Sequence, residues 1–168
     1  MASTTTKTAG ETRGELWLPL MDELRPESVL EVGCGVGRNL RWITQRVDPK
    51  CVTGVDMNPK ALRFLDTRLP GVKGMHAPAR DLPVADRSVE FVFTFGVLDQ
   101  QPQETLDKVV SEMVRVSSRY VFCGEYLQRD YGELFLDLFP HELALVRDGH
   151  LPPEDGRDGV TWWLFERG

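Results

Sequence analysis

The chain has 168 residues, 41% of them hydrophobic and 27% charged, with a formal charge of -6 at pH 7. That length carries one domain around one core, and the acidic balance gives no broad electrostatic footprint for nucleic acid, which is not expected as a partner. The apolar runs are of strand length, short of the roughly 18 residues a membrane span needs, and three cysteines without a CxxC pair fit neither a disulfide framework nor a closed zinc site, so a cytoplasmic protein with no membrane partner and no metal is expected.

Residues 1–13 are rich in Thr and small side chains and are expected to be a disordered start, ahead of a single domain over 14–168. Trp17 precedes LPLMDEL, a segment that either covers a ligand site as a helix or packs on the surface. SVLEV at 28–32 reads as the first strand, and a helix follows over 38–47, ending at Asp48-Pro49. CVTGVD at 51–56 is the second strand. Asn58 caps and Pro59 opens the next helix, which continues over 60–69 and closes at Pro70-Gly71. VKGMH at 72–76 is a weaker third strand, and VEFVFTF at 89–95 is a strongly β-prone fourth.

Leu106, Val109, Val110, Met113 and Val114 recur at helical spacing, which predicts an amphipathic helix between Gln103 and Val116. RYVFCGE at 119–125 is the fifth strand, and the helix YGELFLDLF is stopped by Pro140. ELALV and VTWWLFE then form a closing antiparallel pair, with Trp162 and Trp163 turned to opposite faces, each beneath a helix. Together these predict an α/β fold: a doubly wound, Rossmann-like sheet of seven strands, mostly parallel with an antiparallel C-terminal hairpin. Such sheets bind ligands beyond the carboxyl ends of their strands, near the switch point.

At the end of the first strand stand Gly33, Gly35 and Gly37, directly before a helix. Bare backbone there lets a phosphate or a carboxylate approach the helix N–H groups. The dinucleotide pattern GxGxxG fails, because its third glycine falls at Arg38 or Leu40, and no GK[ST] follows for a Walker loop. Asp56, at the end of the second strand, can accept from both hydroxyls of a ribose or simply form a turn. Glu31, inside the first strand, needs a donor or a cation, since an unpaired buried carboxylate costs several kcal/mol or takes up a proton.

EVGCGVGRN followed by TGVDMNPKAL resembles the first two motifs of the class I S-adenosylmethionine-dependent methyltransferases. The resemblance implies S-adenosylmethionine as cofactor, with Gly33, Gly35, Gly37 and Asn39 around its methionine part and Glu31 supporting the amino end. It further implies Asp56 on the ribose and Met57 against adenine. RDLPVADRSVEFVFTFGVL resembles the motifs that follow, which puts Ala79 and Arg80 in the loop over adenine and Thr94 and Phe95 beside the sulfonium. GEYL, RDYGELFLDLFP and DGVTWWLFERG resemble the C-terminal part of the methylases associated with pseudaminic acid biosynthesis. The chain departs from these patterns at Pro78, where an adenine-contacting Asp is usual, at Gln100, where related enzymes carry His, and in the short run from Glu125-Tyr126 to Arg129.

Displacement at a sulfonium carbon asks the protein to align the nucleophile and exclude water, and a base matters only where the acceptor must lose a proton. Asp99, Glu125 and Tyr126 are the candidates at strand ends. The expected function is methyl transfer to an O or N atom of a small-molecule acceptor, sugar-derived or a secondary metabolite. Its alternative is a module that binds S-adenosylmethionine or S-adenosylhomocysteine without transfer, acting as a partner or regulator. The short run after Glu125 implies either an open site or a pocket completed by a partner subunit, for which a homodimer is the candidate.

Overall fold

The computed structural model describes residues 9–126, 129–153 and 158–168. Its helices are α1 (Ala9–Leu24), α2 (Leu40–Ile43), α3 (Pro59–Arg68), α4 (Gln103–Val116) and α5 (Tyr131–Leu138). Its strands are β1 (Val29–Val32), β2 (Val52–Asp56), β3 (Lys73–His76), β4 (Val89–Phe95), β5 (Ser117–Tyr126), β6 (Leu143–Leu151) and β7 (Val160–Arg167). The seven strands form one sheet in the order β3-β2-β1-β4-β5-β7-β6. β1 pairs parallel to both β2 and β4, β2 to β3 and β4 to β5, whereas β7 runs antiparallel between β5 and β6. The chain therefore runs outward from β1 and returns to start again at β4, which makes the carboxyl ends of β1 and β4 the switch point. No helix among the described residues is long and apolar enough to cross a membrane.

Strand alternation sorts the core onto the two faces of this sheet. Leu30, Val92, Val121 and Cys123 meet α4 and α5 through Val109, Met113 and Phe135. Val29, Phe91, Phe93 and Phe122 face the other way, toward Trp17, Met21, Leu40 and Leu65. Trp17 settles the question its position raises in the sequence: it is fully buried, its ring 4.7 Å from Phe93 and 4.9 Å from Phe122. α1 also presses on α2, because a side chain at Gly14 would meet the Trp42 ring at 2.9 Å.

Several elements differ from the sequence reading. Residues 9–13 of the expected disordered start belong to α1, and residues 1–8 lie outside the described residues. The helix expected over 38–47 is regular only at 40–43. Its last turn tightens to Gln45 N–H donating to Trp42 O and Arg46 N–H to Ile43 O, while the Thr44 hydroxyl donates to Leu40 O at 2.9 Å. β6 runs past the expected ELALV as far as Leu151, so His150 lies in a strand. Trp163 packs beneath α5 against Tyr131, and Trp162 stacks on Phe122 across the sheet at 5.7 Å.

Candidate functional site

The turn after β1 is built by three glycines with positive φ, at 74° for Gly33, 52° for Gly35 and 82° for Gly37. Their reasons differ. A Cβ on Gly33 would lie 2.4 Å from Val97 Cγ2, and one on Gly37 would lie 2.6 Å from Leu65 Cδ1, so both positions are closed by packing. A Cβ on Gly35 would meet nothing within 4 Å. Gly35 alone of the three faces open space, at the mouth of the switch point. The loop is pinned to β2: Gly33 and Cys34 N–H donate to Val55 O at 2.8 and 3.0 Å, and Gly35 N–H donates to Asp56 Oδ2 at 2.8 Å.

Behind this loop Glu31 is buried, with 1% of its surface exposed. Its Oε1 accepts from the Asn39 amide at 2.6 Å, and its Oε2, equally buried, has no hydrogen-bond partner. Burial raises the carboxyl from its ordinary 4.5 to about 8, against the lowering effects of the Asn39 bond and of the Arg13 charge. Asn39 is held from its other end. Arg13 Nη1 and Trp17 Nε1, one helical turn apart on α1, donate to its Oδ1 at 2.8 and 3.2 Å. The Arg13 guanidinium also lies over the Phe95 ring, 4.5 Å from its centroid. The sequence marks Glu31 and Asn39 but misses Arg13, which falls in the stretch expected to be disordered.

Asp56 does two jobs at the end of β2. Besides holding Gly35 it accepts from Asn58 N–H at 2.8 Å, so the turn-forming role is real, and each oxygen keeps a second acceptor site. Beside it Met57 is 62% exposed, its carbonyl bonded to His76 Nε2 at 2.9 Å. Half-buried Ala79 and exposed Arg80 sit on the loop that follows β3, closed by an Asp81 N–H bond to Pro78 O. α4 fixes the rest of that loop. Arg115 donates to Leu82 O, Val84 O and Asp86, and Glu112 accepts Leu82 N–H at 2.6 Å while bridging to Arg115.

On the β4–β5 side the expectations separate. Thr94 does not reach the site: it is buried within the sheet, and its hydroxyl donates to Val32 O at 3.0 Å, across the β1–β4 pair. Phe95, the last residue of β4, is buried in the core with the Arg13 guanidinium over its ring. Glu125 is drawn inward, 1% exposed, with Oε1 accepting from Val97 N–H at 3.1 Å and Oε2 from Asp99 N–H at 3.4 Å. Burial raises its carboxyl to about 7, and these backbone donors pull it back down. Asp99 is not a solvated turn residue: Tyr131, unmarked in the sequence, donates to its Oδ1 at 2.5 Å, and its Oδ2 is buried without a partner. Tyr126 is half-buried at the edge, its ring 3.1 Å from where a Cβ on Gly96 would stand. Residues 127 and 128, in the short run before Arg129, lie outside the described residues.

The profile of the methyltransferase-domain family matches residues 29–119, from β1 into β5 and over half of the chain. Among curated proteins the chain is 36% identical over 72 residues to a probable phthiotriol/phenolphthiotriol dimycocerosates methyltransferase 2 of Mycobacterium ulcerans, covering 42% of this chain and 28% of that protein. It is 24% identical over 134 residues to ajmaline N-methyltransferase of Rauvolfia serpentina, covering 74% and 45%. The chain spans about a third of the length of the first curated relatives it matches. In fold it matches the N-methyltransferase NodS from Bradyrhizobium japonicum, solved with S-adenosyl-L-homocysteine, at a TM-score of 0.79 and 14% identity over 96% of this chain and 89% of that one.

Proposed function

The chain belongs to the methyltransferase-domain family, and we propose that it binds S-adenosylmethionine at the glycine loop and transfers the methyl group to an O or N atom of a small-molecule acceptor. One observation carries this reading: a buried carboxyl oxygen, Glu31 Oε2, lacks a partner in the strand that leads into the glycine loop, whose Gly35 faces open space. A carboxylate in that state is completed by a cationic donor, and the α-ammonium of the methionine part is one. Asp56 retains acceptor sites for ribose hydroxyls, and exposed Met57, with Ala79 and Arg80 on the loop after β3, is the candidate to lie against adenine.

When bound, the cofactor supplies an electrophilic methyl group that is displaced in line. The chain's part is to orient the acceptor and exclude water. Glu125 and Asp99 act as positioning residues, because their bonds to the loop after β4 and to Tyr131 shape the acceptor wall. Tyr126 is the group left at the edge to touch the acceptor. The C-terminal resemblance to pseudaminic acid-associated methylases favours a sugar-derived acceptor, handled in the cytoplasm, with a homodimer completing the pocket.

The engaged carboxylates also favour a second reading, a binding module without transfer. Calorimetry with S-adenosylmethionine, S-adenosylhomocysteine and NAD, followed by methyl-transfer assays on amine and hydroxyl acceptors, separates the two. Binding of both sulfur nucleosides with turnover is expected. Absence of heat with either one refutes the cofactor assignment, and binding without turnover selects the module.

A further inference from the structure

The charge of -6 is unevenly spread. From the glycine loop to the end of β3, residues 33–76 hold eight Lys and Arg against three Asp and no Glu, a charge of +5, which leaves -11 on the remainder of the chain. All eight cationic residues are exposed. Among the described residues only Arg46 of the eight has a carboxylate within 4 Å, that of Asp22 at 2.7 Å. On α3 the helical period concentrates this charge. Ala61 and Leu65 are buried, and Lys60, Arg63, Phe64 and Thr67 fall at i, i+3, i+4 and i+7 on the opposite face. Phe64 is 57% exposed, and no other Phe, Trp or Tyr among the described residues is as exposed. Arg38 follows Gly37, which packs on Leu65, and Lys73 precedes Gly74, which packs on Leu62, so a cation from each neighbouring element flanks the helix.

We propose that the outer face of α3, flanked by Arg38 and Lys73, docks on an anionic lipid bilayer, its cations meeting the headgroups and Phe64 entering between them. The whole chain's charge, which argues against such a partner, is an average over two regions of opposite sign. Like charges left without partners on one face repel each other, and an anionic surface relieves that repulsion. The shape selects among anionic partners. A nucleic-acid strand is held in a basic groove that tracks its backbone, whereas this stripe is the outward crest of a helix. A bilayer presents a flat field of charge to such a crest, and an aromatic ring set among cations suits the boundary between headgroups and acyl chains. α3 begins three residues after Asp56, so docking holds the mouth of the candidate site beside the membrane surface.

The test is cosedimentation of the full chain with vesicles of phosphatidylcholine alone and of phosphatidylcholine with about a quarter phosphatidylglycerol, at about 50 and about 300 mM salt. Binding is expected to the anionic vesicles at low salt, with most of it lost at high salt and none to the neutral ones. Each basic side chain near the surface contributes about fivefold to partition, so Lys60→Gln combined with Arg63→Gln should weaken it about 25-fold. Phe64→Ser should weaken it several-fold without changing its salt dependence. Arg119→Gln combined with Arg147→Gln makes the same change in net charge away from α3 and should leave binding within about twofold. These positions are all exposed, and an unchanged urea midpoint confirms that each variant is folded. No binding to anionic vesicles, equal binding to neutral ones, or equal loss in the two double variants overturns the proposal. So does tighter binding to single-stranded RNA of about 20 nucleotides, followed by fluorescence anisotropy and lost with Lys60 and Arg63, which would assign the face to nucleic acid.

Discussion

The substitution Glu31→Gln tests the state of the buried carboxyl without any ligand. Burial holds its folded pKa at about 8, above the ordinary 4.5, so the folded chain keeps a proton that the unfolded chain releases. The stabilising effect is fully present below about pH 4.5 and is lost as the pH rises through about 8. A glutamine side chain keeps the shape and can still accept the Asn39 N–H, but it does not titrate. With 1.36 kcal/mol for each pKa unit, and allowing for relaxation around the ionised group, the variant should gain about 2 to 4 kcal/mol on the wild type between about pH 5 and about pH 8. Arg13, Asp56 and Cys34, the charged and titratable groups near Glu31, are common to both chains, so the difference isolates the carboxyl. Urea unfolding followed by tryptophan fluorescence, which reports on buried Trp17, measures it at each pH. A stability difference that stays constant across this range would refute the argument that Glu31 is folded as a neutral acid.

Three further substitutions probe the loop and the acceptor wall. Gly35→Val meets open space and should cost about 1 to 2 kcal/mol for its left-handed backbone while abolishing S-adenosylhomocysteine binding in calorimetry. Gly37→Val adds a clash with Leu65 to the same backbone cost and should destabilise the fold by more than Gly35→Val in the same urea assay. Tyr131→Phe removes the 2.5 Å bond to Asp99 and leaves both oxygens of that side chain unmet, which should lower stability by about 1 to 3 kcal/mol near neutral pH, read as a shift in the urea midpoint.

What the sequence shows of this site is what lies close together in the chain. The strand, the glycine turn and the following helix fall within a dozen residues, and Asp56 is placed by the end of the next strand, so their arrangement follows from period and turn chemistry. The partners of Asn39 lie 22 and 26 residues away on α1, and Tyr131 lies 32 residues from Asp99. No local pattern encodes those pairings. A signal for α1 was present nonetheless. Phe91, Phe93 and Phe95 alternate onto one face of β4, and three rings on one face need a large apolar cover, which Trp17 supplies. Parity also speaks for Glu125, which shares a face with Val121 and Cys123 and so turns toward α4 and α5 rather than outward.

Glu31 and Glu125 make the decisive comparison. Both lie near the carboxyl ends of parallel strands at one edge of the sheet, both are 1% exposed, and burial raises both carboxyls, to about 8 and about 7. Burial and pKa therefore do not distinguish them, and residue type does not either. Hydrogen-bond accounting does. Glu125 has a backbone N–H on each oxygen and serves to fix the turn after β4. Glu31 has one oxygen on Asn39 and one on nothing, in the strand that leads directly into the glycine loop. A fold keeps such an oxygen only at a cost, because a buried carboxyl without a second partner forgoes a hydrogen bond and must hold its proton far above the ordinary range. The unmet oxygen of Glu31 is thus the mark of a ligand cation, whereas the fully engaged Glu125 belongs to the scaffold that positions the acceptor.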